Sequence, residues 1–291
     1  MRRLLMDLSV VIVNWNSGTY LARLLTSLLP LKDELEEIWV VDNASSDSSL
    51  GGLENTPGVQ ILSLPENQGF AGGANEGISR SSSAFILLFN PDVEVLPDSV
   101  RKLYQEMKKR PRAAIVCGAL EDPEGKSQSA FQLRPFPSWK SVLSDALFID
   151  ELMPGLGSGS LRRKSNAVGG SSSRGVRKLD SEQPAAAAWL LRKEAWKELG
   201  GFDTRFYPAW FEDVDYCKRL QGCGWQIFYF PDLPMIHRGG LALETLSYAG
   251  FVGIFYQNLL RYLKKHHARL YPLLWLPVQT GMWIRRLLKS R

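Results

Sequence analysis

The sequence predicts an α/β protein with a Rossmann-like, mostly parallel central sheet flanked by helices. Short apolar runs rich in β-branched residues recur through the first third of the chain, helical patterns separate them, and polar residues follow each run. Strands that alternate with helices favour parallel pairing through right-handed crossovers. The chain has 291 residues, 45% hydrophobic and 22% charged, which is enough apolar material for a core and is not typical of disorder.

The predicted strands are Leu8–Val13, Ile38–Val41, Val59–Leu62 and Phe85–Phe89, and helical spacing predicts helices over Leu21–Leu29 and Val100–Lys109. Ligands of parallel sheets lie beyond the carboxyl ends of the strands. The residues at those ends are Asn14-Trp15-Asn16, Asp42-Asn43, Pro65-Glu66-Asn67 and Asn90-Pro91-Asp92. All four ends are polar, and we expect them to converge on one site.

The second half of the chain begins with a segment of different composition. Residues 153–183 are dominated by Gly, Ser and basic side chains, which favours a flexible loop. Structure then resumes at Ala185–Leu191, followed by a short helix through Leu199, a helix from about Phe211 to Gln221, a strand Gln226–Phe230 and a helical period over Leu243–Lys265. We expect one domain over residues 1–240 and a C-terminal amphipathic helical extension over residues 241–291.

The formal net charge of +5 conceals an acidic body with two basic segments. Residues 152–179 contain six Lys and Arg side chains and residues 245–291 contain eight, with no acid in either segment. Without those fourteen the chain has 21 basic and 30 acidic residues, a balance of −9. The basic residues thus cluster outside the predicted sheet, which argues against nucleic-acid binding.

Cysteine use and the chain ends indicate the compartment. The three cysteines form no CxxC pair, which argues against a disulfide framework or a zinc cluster and fits a reducing compartment. The start MRRLLMDLSVVIV resembles a signal peptide, but Asp7 interrupts it and no small-residue cleavage site follows, so we predict a strand. The uncharged stretch from Leu270 to Ile284 contains two prolines and is shorter than the ~20 residues of a spanning helix, so no transmembrane segment is expected.

Two residues are candidate metal ligands. Asp92 follows a buried strand, with Pro91 fixing the turn and an amide at Asn90, and it could bind a hard cation such as Mg²⁺ or Mn²⁺. A Pro-Asp pair is also a common turn cap, and the tripeptide alone favours that interpretation. His237 stands after a strand and before a glycine pair, which leaves a structural hydrogen bond and a metal ligand as equal alternatives.

A Gly-rich segment and an acidic cluster are the other candidate features. Glu66 to Ser79 contains four glycines at the opening of a helix, where backbone amides could approach a phosphate, although a plain loop-to-helix turn explains them equally well. Glu212, Asp213 and Asp215 begin a predicted helix, where acids commonly complement the helix dipole. The aromatic residues around these acids favour a raised pKa of a carboxyl group, as a general base requires.

Five motifs in this order, VVIVNWN, VVDNASSD, ENQGFAGGANEG, FNPDV and GGFDTRFYPAWFEDVDYCKRL, are together similar to those of the family 2 glycosyltransferases of the GT-A fold. The resemblance runs from about Leu8 to Gly240 and is greatest to the bacterial rhamnosyltransferase-like branch. Each motif alone is weak. The resemblance implies a nucleotide-diphospho-sugar transferase in which a metal bridges the donor diphosphate and an inverting displacement moves the sugar to an acceptor hydroxyl.

The resemblance also implies roles for individual residues. Nucleotide-sugar binding falls on Asn14, Asn16, Asp42, Asn67, Gly69, Asn75, Asn90 and Asp92, with Asp42 holding the base. Asp92 matches the last acid of the DxD metal motif, but Asn90 replaces the first acid, so metal affinity is expected to be modest or to depend on His237. Asp213 matches the catalytic base, with Glu212 the less favoured candidate, and Trp210 is the predicted acceptor contact.

The expected function is inverting, Mg²⁺- or Mn²⁺-dependent transfer of rhamnose or a similar sugar from dTDP-rhamnose or a UDP-sugar to a saccharide or lipid-linked acceptor in bacterial surface polysaccharide synthesis. One alternative is a nucleotidyltransferase of similar fold, which usually has a basic Gly-rich loop after the first strand where this chain has NWNSGT. A non-catalytic, membrane-docked scaffold is the other, and it is disfavoured because Asp42, Asp92 and the acid pair are present.

The C-terminal extension combines an aromatic stripe, several cations and a Leu/Trp/Pro stretch. This pattern favours docking on anionic lipid, and a helix packed on the body with solvated charges is the alternative. Lipid-linked acceptors, usual in related enzymes of bacterial surface polysaccharide synthesis, would make interfacial binding useful. We therefore expect a cytoplasmic protein that is peripheral on the inner face of the bacterial cell membrane.

Overall fold

The fold is taken from a computed structural model that describes residues 5–53, 56–149, 175–239 and 246–288. The first half comprises β1 (Leu8–Asn14), α1 (Tyr20–Leu28), β2 (Glu37–Asp42), β3 (Val59–Ser63), α2 (Gly69–Arg80), β4 (Phe85–Phe89), β5 (Val93–Glu94) and α3 (Pro97–Lys108). The second half comprises β6 (Ala113–Glu121), α4 (Ser129–Gln132), β7 (Leu133–Pro135), α5 (Trp139–Ala146), β8 (Arg177–Lys178), β9 (Glu182–Pro184), β10 (Ala188–Arg192), α6 (Lys193–Glu198), α7 (Glu212–Gly222), β11 (Gln226–His237), α8 (Tyr248–His266) and α9 (Tyr271–Leu288).

The central sheet has the strand order β3-β2-β1-β4-β10-β6-β11-β5, with β8 beside β11. Strands β1 to β4 pair in parallel and β6 is parallel to β11, whereas β10 runs antiparallel between β4 and β6. The predicted α/β class with a mostly parallel sheet is confirmed. Because Asn14 is in register with Asp42, the carboxyl ends of β1 and β2 lie at the same edge.

Alternate residues of the central strands face two separate cores, as the pleat requires. Val10 packs with α1 and α3 on one face of the sheet, and Val11 packs with α2 and α7 on the other. The approach of α2 is close: a Cβ atom at Gly77 would lie 2.5 Å from Val11 and 2.8 Å from Val41. Glycine is therefore needed where this helix crosses β1 and β2.

Two strands differ from the sequence prediction. The central strand β6 was not predicted, although Ala113 to Leu120 is almost continuously apolar, as a strand buried on both faces should be. Strand β11 continues to His237 instead of ending at Phe230, with an irregular register between Phe230 and Met235 where two prolines interrupt the pattern. His237 is consequently the last residue of a strand and pairs with Val93 of β5.

The Gly/Ser/basic segment is only partly described. Residues 153–174 lie outside the described residues, and the loop prediction for them stays a prediction. The remainder contains β8 and β9, so the predicted loop is wrong there: β8 pairs with β11 and β9 pairs with β7. Arg177 and Glu182 form an ion pair at 2.7 Å and Gln183 is buried, which stabilises regular structure despite the composition.

Helices α8 and α9 form a hairpin packed on the body, so the described part of the C-terminal extension is two helices. Phe255 and Leu259 of α8 share a buried cluster with Phe211 and Val214 beside the acid pair. The aromatic stripe predicted on α8 therefore faces the protein. Residues 241–245 lie outside the described residues, and within the described ranges no helix is long and apolar enough to span a bilayer.

Candidate active site

The ends of β1 and β2 bring Asn14, Asn16 and Asp42 together. Asn14 is fully buried, and its amide donates to the Asp42 carboxylate at 2.8 Å. The Asn16 backbone is left-handed (φ 48°), and its side-chain carbonyl accepts from the backbone N–H groups of Ser46 at 2.7 Å and Asp47 at 3.2 Å. The two asparagines thus hold the turn after β2 and orient Asp42 at the sheet edge.

The Gly-rich loop is held by side chains and backbone of the protein itself. Asn67 accepts a hydrogen bond from the backbone N–H of Gly69 at 2.8 Å, and Asn43 accepts one from Gln68 at 2.8 Å. The backbone N–H of Phe70 donates to the carbonyl of Pro208 at 2.8 Å. Since the first amides of α2 already have acceptors, the geometry favours the plain loop-to-helix turn over a phosphate cradle.

Asn75 lies within α2 and organises the turn before α7. Its carbonyl accepts from the backbone N–H of Phe202 at 2.9 Å and from the indole N–H of Trp196 at 3.1 Å, and its amide donates to the Phe202 carbonyl at 2.8 Å. A Cβ atom at Gly201 would lie 2.6 Å from this amide group. Asn75 therefore holds the turn before α7, and the donor contact predicted for it stays a prediction.

Asp92 and His237 form a buried carboxylate–imidazole pair at the end of β11. Pairing of β5 with β11 brings them together, with His237 Nε2 3.6 Å from Asp92 Oδ2. Burial raises the pKa of Asp92 against the opposing effect of His237, and burial lowers the pKa of His237. Asp92 Oδ1 is buried and has no hydrogen-bond partner among the described residues.

This pair fits a hard divalent cation. An unpartnered buried carboxylate oxygen beside an imidazole nitrogen is a costly arrangement that a cation would relieve. Within the described ranges no group of three or more His, Cys, Asp and Glu side chains could hold a metal, so the protein would supply two ligands and the remaining ones would come from ligand and water oxygens. The Asn90 side chain, nearby in sequence, makes no hydrogen bond within the described part of the chain, and its backbone N–H donates to Ala187 at 2.9 Å.

Glu212 and Asp213 begin α7 directly after two left-handed residues, Trp210 (φ 71°) and Phe211 (φ 77°). Asp213 accepts a hydrogen bond from Val214 N–H at 2.7 Å, and the Arg134 guanidinium donates to it at 3.3 Å. Glu212 Oε2 is buried without a partner among the described atoms, and burial, followed by the negative charge of Asp213, raises the pKa of Glu212 well above its usual value. Burial therefore favours the protonated form of Glu212, whereas Asp213 contacts the guanidinium group of Arg134.

The loop before the acid pair is held by α8. Trp210, the predicted acceptor contact, packs edge-on against Phe251 with 4.9 Å between ring centroids. Asn258 is fully buried, and its amide donates to the carbonyls of Ala209 at 2.8 Å and Trp210 at 3.1 Å. The C-terminal hairpin is therefore part of the wall that positions the acid pair.

The third acid of the cluster, Asp215, is structural. Its carboxylate contacts three basic side chains: Arg219 at 2.8 Å, Lys265 at 2.7 Å and His266 at 2.8 Å. Burial would raise the pKa of Asp215, but the bonds from His266, Lys265 and Arg219 lower it overall. These contacts fasten the end of α8 to α7.

Three residues that the sequence does not mark lie between the Asp92–His237 pair and the acid pair. Gln128 contacts His237, Phe131 stacks on the His237 ring with 5.4 Å between centroids, and the Arg134 guanidinium lies 6.0 Å from the Phe131 ring centroid. No motif marks this stretch. Only the pairing of β7 with β9 and the anchoring of α4 on β6 bring it to the sheet edge.

The fold and this site define a sugar transferase of the GT-A type. The sequence profile of Glycosyl transferase family 2 matches residues 9–167, more than half of the chain, and the protein belongs to that family. The resemblance seen in the motifs is therefore confirmed. Membership also argues against the nucleotidyltransferase alternative.

The chain is similar in sequence to two known glycosyltransferases and in structure to two others. The chain is 26% identical over 255 residues to the N-acetylglucosaminyl-diphospho-decaprenol L-rhamnosyltransferase of Mycobacterium tuberculosis, spanning 79% of this chain and 75% of the relative. It is 22% identical over 219 residues to the low-salt glycan biosynthesis hexosyltransferase Agl10 of Haloferax volcanii, spanning 74% and 62%. The structure resembles the mannosyltransferase PcManGT of Pyrobaculum calidifontis in complex with GDP-Man and Mn²⁺ (TM-score 0.57, 14% identity, 96% of this chain and 70% of that one). It also resembles GalNAc-T7 with UDP, GalNAc and Mn²⁺ (TM-score 0.60, 16% identity, 80% and 43%).

Proposed function

We propose that this protein is an inverting, divalent-metal-dependent glycosyltransferase that moves rhamnose or a similar sugar to a hydroxyl of a lipid-linked or saccharide acceptor. The observation that carries the proposal is a pair of unlike carboxyl groups: Glu212 Oε2 is buried without a partner among the described atoms, and Asp213 contacts the Arg134 guanidinium. A second buried pair, Asp92 and His237, is suited to a metal. The similarity to a rhamnosyltransferase named for a lipid-diphosphate-linked sugar supports rhamnose as the sugar and a lipid-linked acceptor. We propose dTDP-rhamnose as the donor, with a UDP-sugar as the alternative.

The residues divide the chemistry between them. Asp213 accepts the proton of the acceptor hydroxyl as that oxygen attacks the anomeric carbon from the side opposite the leaving group. The bond from the anomeric carbon to the diphosphate oxygen breaks, and the nucleoside diphosphate leaves with the electron pair through an oxocarbenium-like state. Because the displacement is direct, one base is sufficient and the configuration of the sugar inverts.

The donor is held at the sheet edge. Asp42, oriented by Asn14, would accept hydrogen bonds from the nucleoside. Asp92 and His237 would hold the cation, which when bound neutralises the charge that develops on the departing diphosphate. Asn90 has a side-chain amide that can bind the donor nearby.

Thermal-shift and transfer assays test this proposal. We expect dTDP or UDP and their sugars to raise the melting temperature more strongly with Mn²⁺ present, and radiolabelled sugar to be transferred to an acceptor with inversion visible in the proton coupling of the product. Exhaustive EDTA treatment should abolish transfer, and added Mn²⁺ or Mg²⁺ should restore it. Full activity after EDTA would refute the role of the metal, and the absence of any nucleotide response would refute the donor class.

We further propose that α9 docks the protein on the inner face of the bacterial cell membrane. Leu273, Leu276, Trp283 and Leu287 recur on one face of this helix and are 74%, 64%, 63% and 50% exposed. The opposite face, with Val278, is buried against the body. An apolar face with tryptophan and no acid between residues 245 and 291 is typical of a segment that lies in the surface of anionic lipid.

The cations available to lipid are fewer than the sequence indicates. Arg285 is 4% exposed, donates to the carbonyl of Asp145 at 2.6 Å and stacks over the Phe148 ring at 3.9 Å. Lys265 is paired with Asp203 at 2.7 Å. Exposed Arg269 and Arg286 near the ends of α9 remain suitable for phosphate headgroups.

A further inference from the structure

We propose that Gln128 is a positioning residue that fixes His237 in the tautomer and orientation required to hold a cation against Asp92. The side chain of Gln128 contacts His237 twice, once at the backbone and once at the ring. The inference rests on the proposed function in one respect, namely that a divalent cation binds between Asp92 and His237.

The orientation of the Gln128 amide follows from its first contact. Gln128 Nε2 is 2.7 Å from the backbone carbonyl of His237, which can only accept, so this end of the amide is the NH₂ group. The carbonyl oxygen Oε1 then lies 2.7 Å from Nδ1 of the same histidine. Because Oε1 can only accept, Nδ1 must carry the ring hydrogen.

The consequence appears on the other side of the ring. With the hydrogen on Nδ1, the neutral imidazole presents an unprotonated Nε2, and this atom lies 3.6 Å from Asp92 Oδ2. A lone pair beside a carboxylate oxygen is repulsive unless a cation or a proton lies between them. In the other tautomer an Nε2–H group would donate to Asp92 directly and close the site to a metal. Gln128 therefore selects the form that binds metal.

The residue that makes these contacts is itself firmly anchored. The Gln128 backbone N–H donates to the carbonyl of Leu120 in β6 at 2.8 Å. Gln132, one turn later, is buried and binds the Gly118 carbonyl at 2.7 Å and the Leu120 N–H at 2.9 Å. Phe131 between them stacks on the His237 ring at an interplanar angle of 11°, which restricts rotation of the ring. Strand β6 thus fixes the position of His237 through α4.

Two variants and a control separate positioning from general damage. Gln128→Ala removes both contacts, whereas Gln128→Glu keeps an acceptor for Nδ1–H and loses only the donor to the backbone carbonyl. Gln105→Ala, at an exposed position of α3, is the matched control. All variants are compared as full-length proteins whose melting temperatures match that of wild type.

The first readout is the tautomer of His237 in metal-free, histidine-labelled protein, from long-range ¹⁵N–¹H correlation at about pH 8, where an ordinary imidazole is neutral. The chain has three histidines, so loss of one spin system in His237→Ala assigns the signal. We expect protonated Nδ1 in wild type, Gln128→Glu and Gln105→Ala, and a mixture or the Nε2–H form in Gln128→Ala. An Nε2–H ring in wild type, or an unchanged ring in Gln128→Ala, would overturn the inference.

The second readout is Mn²⁺ affinity, from electron paramagnetic resonance titration with Mn²⁺ and dTDP as probes, and with UDP in parallel. Loss of a partner that orients a metal ligand typically weakens binding 10–100-fold, and we expect a loss of that size in Gln128→Ala with Gln128→Glu close to wild type. Equal affinity in all four proteins would overturn the inference. Wild type that binds no Mn²⁺ would instead refute the metal role in the proposed function, and the tautomer would still decide the role of Gln128.

Discussion

At the scale of single residues, adjacent carboxyl groups acquire different tasks from their surroundings. When two acids lie side by side in a buried site, burial and the neighbouring negative charge raise the pKa of the acid that has fewer partners. Asp213 has the Val214 N–H and the Arg134 guanidinium, while Glu212 Oε2 has no partner among the described residues. The sequence locates the acid pair, but Arg134 lies 79 residues earlier, so only the fold shows which acid contacts a guanidinium group.

The first prediction compares the two acids. Asp213→Asn should lower kcat by about 10²–10⁴-fold because it removes the base, while nucleotide binding stays unchanged. Glu212→Gln should stay within about tenfold of wild type, because burial favours the protonated carboxyl group at this position and an amide resembles that form. Initial rates of transfer and thermal shift by nucleotide measure the two effects. The reverse ranking of the two variants would assign the base to Glu212.

At the scale of elements, the Gly-rich helix α2 shows what pattern alone does not decide. Four glycines at a helix start are compatible with phosphate binding or with close packing, and both interpretations predict the same helix. The structure separates them, because Gly73 and Gly77 face β1 and β2 at distances that leave no room for a Cβ atom. The local sequence is sufficient to predict that α2 is a helix. Why a given position must be glycine depends on the strand against which the helix packs.

Substitution of these glycines gives the second prediction. Gly77→Ala should destabilise the protein by about 1–3 kcal/mol, because the new methyl group would lie 2.5 Å from Val11 and 2.8 Å from Val41. Gly222→Ala is the matched control, since Gly222 ends α7 with open space around its Cα and alanine favours a helix. Urea unfolding measures both. Equal stability of the two variants would contradict the packing role of Gly77.

The attachment of α8 provides a pH-dependent prediction. The pKa of Asp215 is lower in the folded protein than in the unfolded chain, so its ion pairs contribute stability above the unfolded value of about 4. That contribution is lost as the pH falls further, through the folded pKa. The melting temperature should therefore fall steeply between about pH 5 and pH 3, and Asp215→Asn should be less stable at neutral pH and show a shallower fall. Asp232→Asn, at an exposed position, should keep the wild-type slope. An Asp215→Asn profile parallel to wild type would rule out this linkage.

At the scale of the whole molecule, locally determined features were predictable and features that depend on distant contacts were not. The alternation of strands and helices and the polar strand ends follow from local apolar patterns, so the sheet and most of its candidate site residues could be placed. The antiparallel insertion of β10 next to β6, and the position of Gln128, depend on pairing between segments far apart in the chain. The partners of charged side chains likewise depend on distant contacts. Lys265 and Arg285 look like surface cations in the sequence, yet they bind acidic or carbonyl groups of the body.

The exposed apolar face of α9 and the exposed cations near its ends predict binding to anionic membranes. The full-length protein should sediment with vesicles that contain phosphatidylglycerol, bind neutral phosphatidylcholine vesicles more weakly, and lose part of its binding as salt rises. Leu276→Glu combined with Trp283→Glu should weaken binding at least tenfold, because these side chains lie 64% and 63% exposed on the face of α9 that would enter the lipid surface. Leu29→Glu, at another exposed leucine outside the hairpin, should bind like wild type. Since α8 and the buried face of α9 stay intact, transfer to a soluble acceptor analogue should persist in the double variant. Unchanged sedimentation of that variant would show that α9 does not face the membrane.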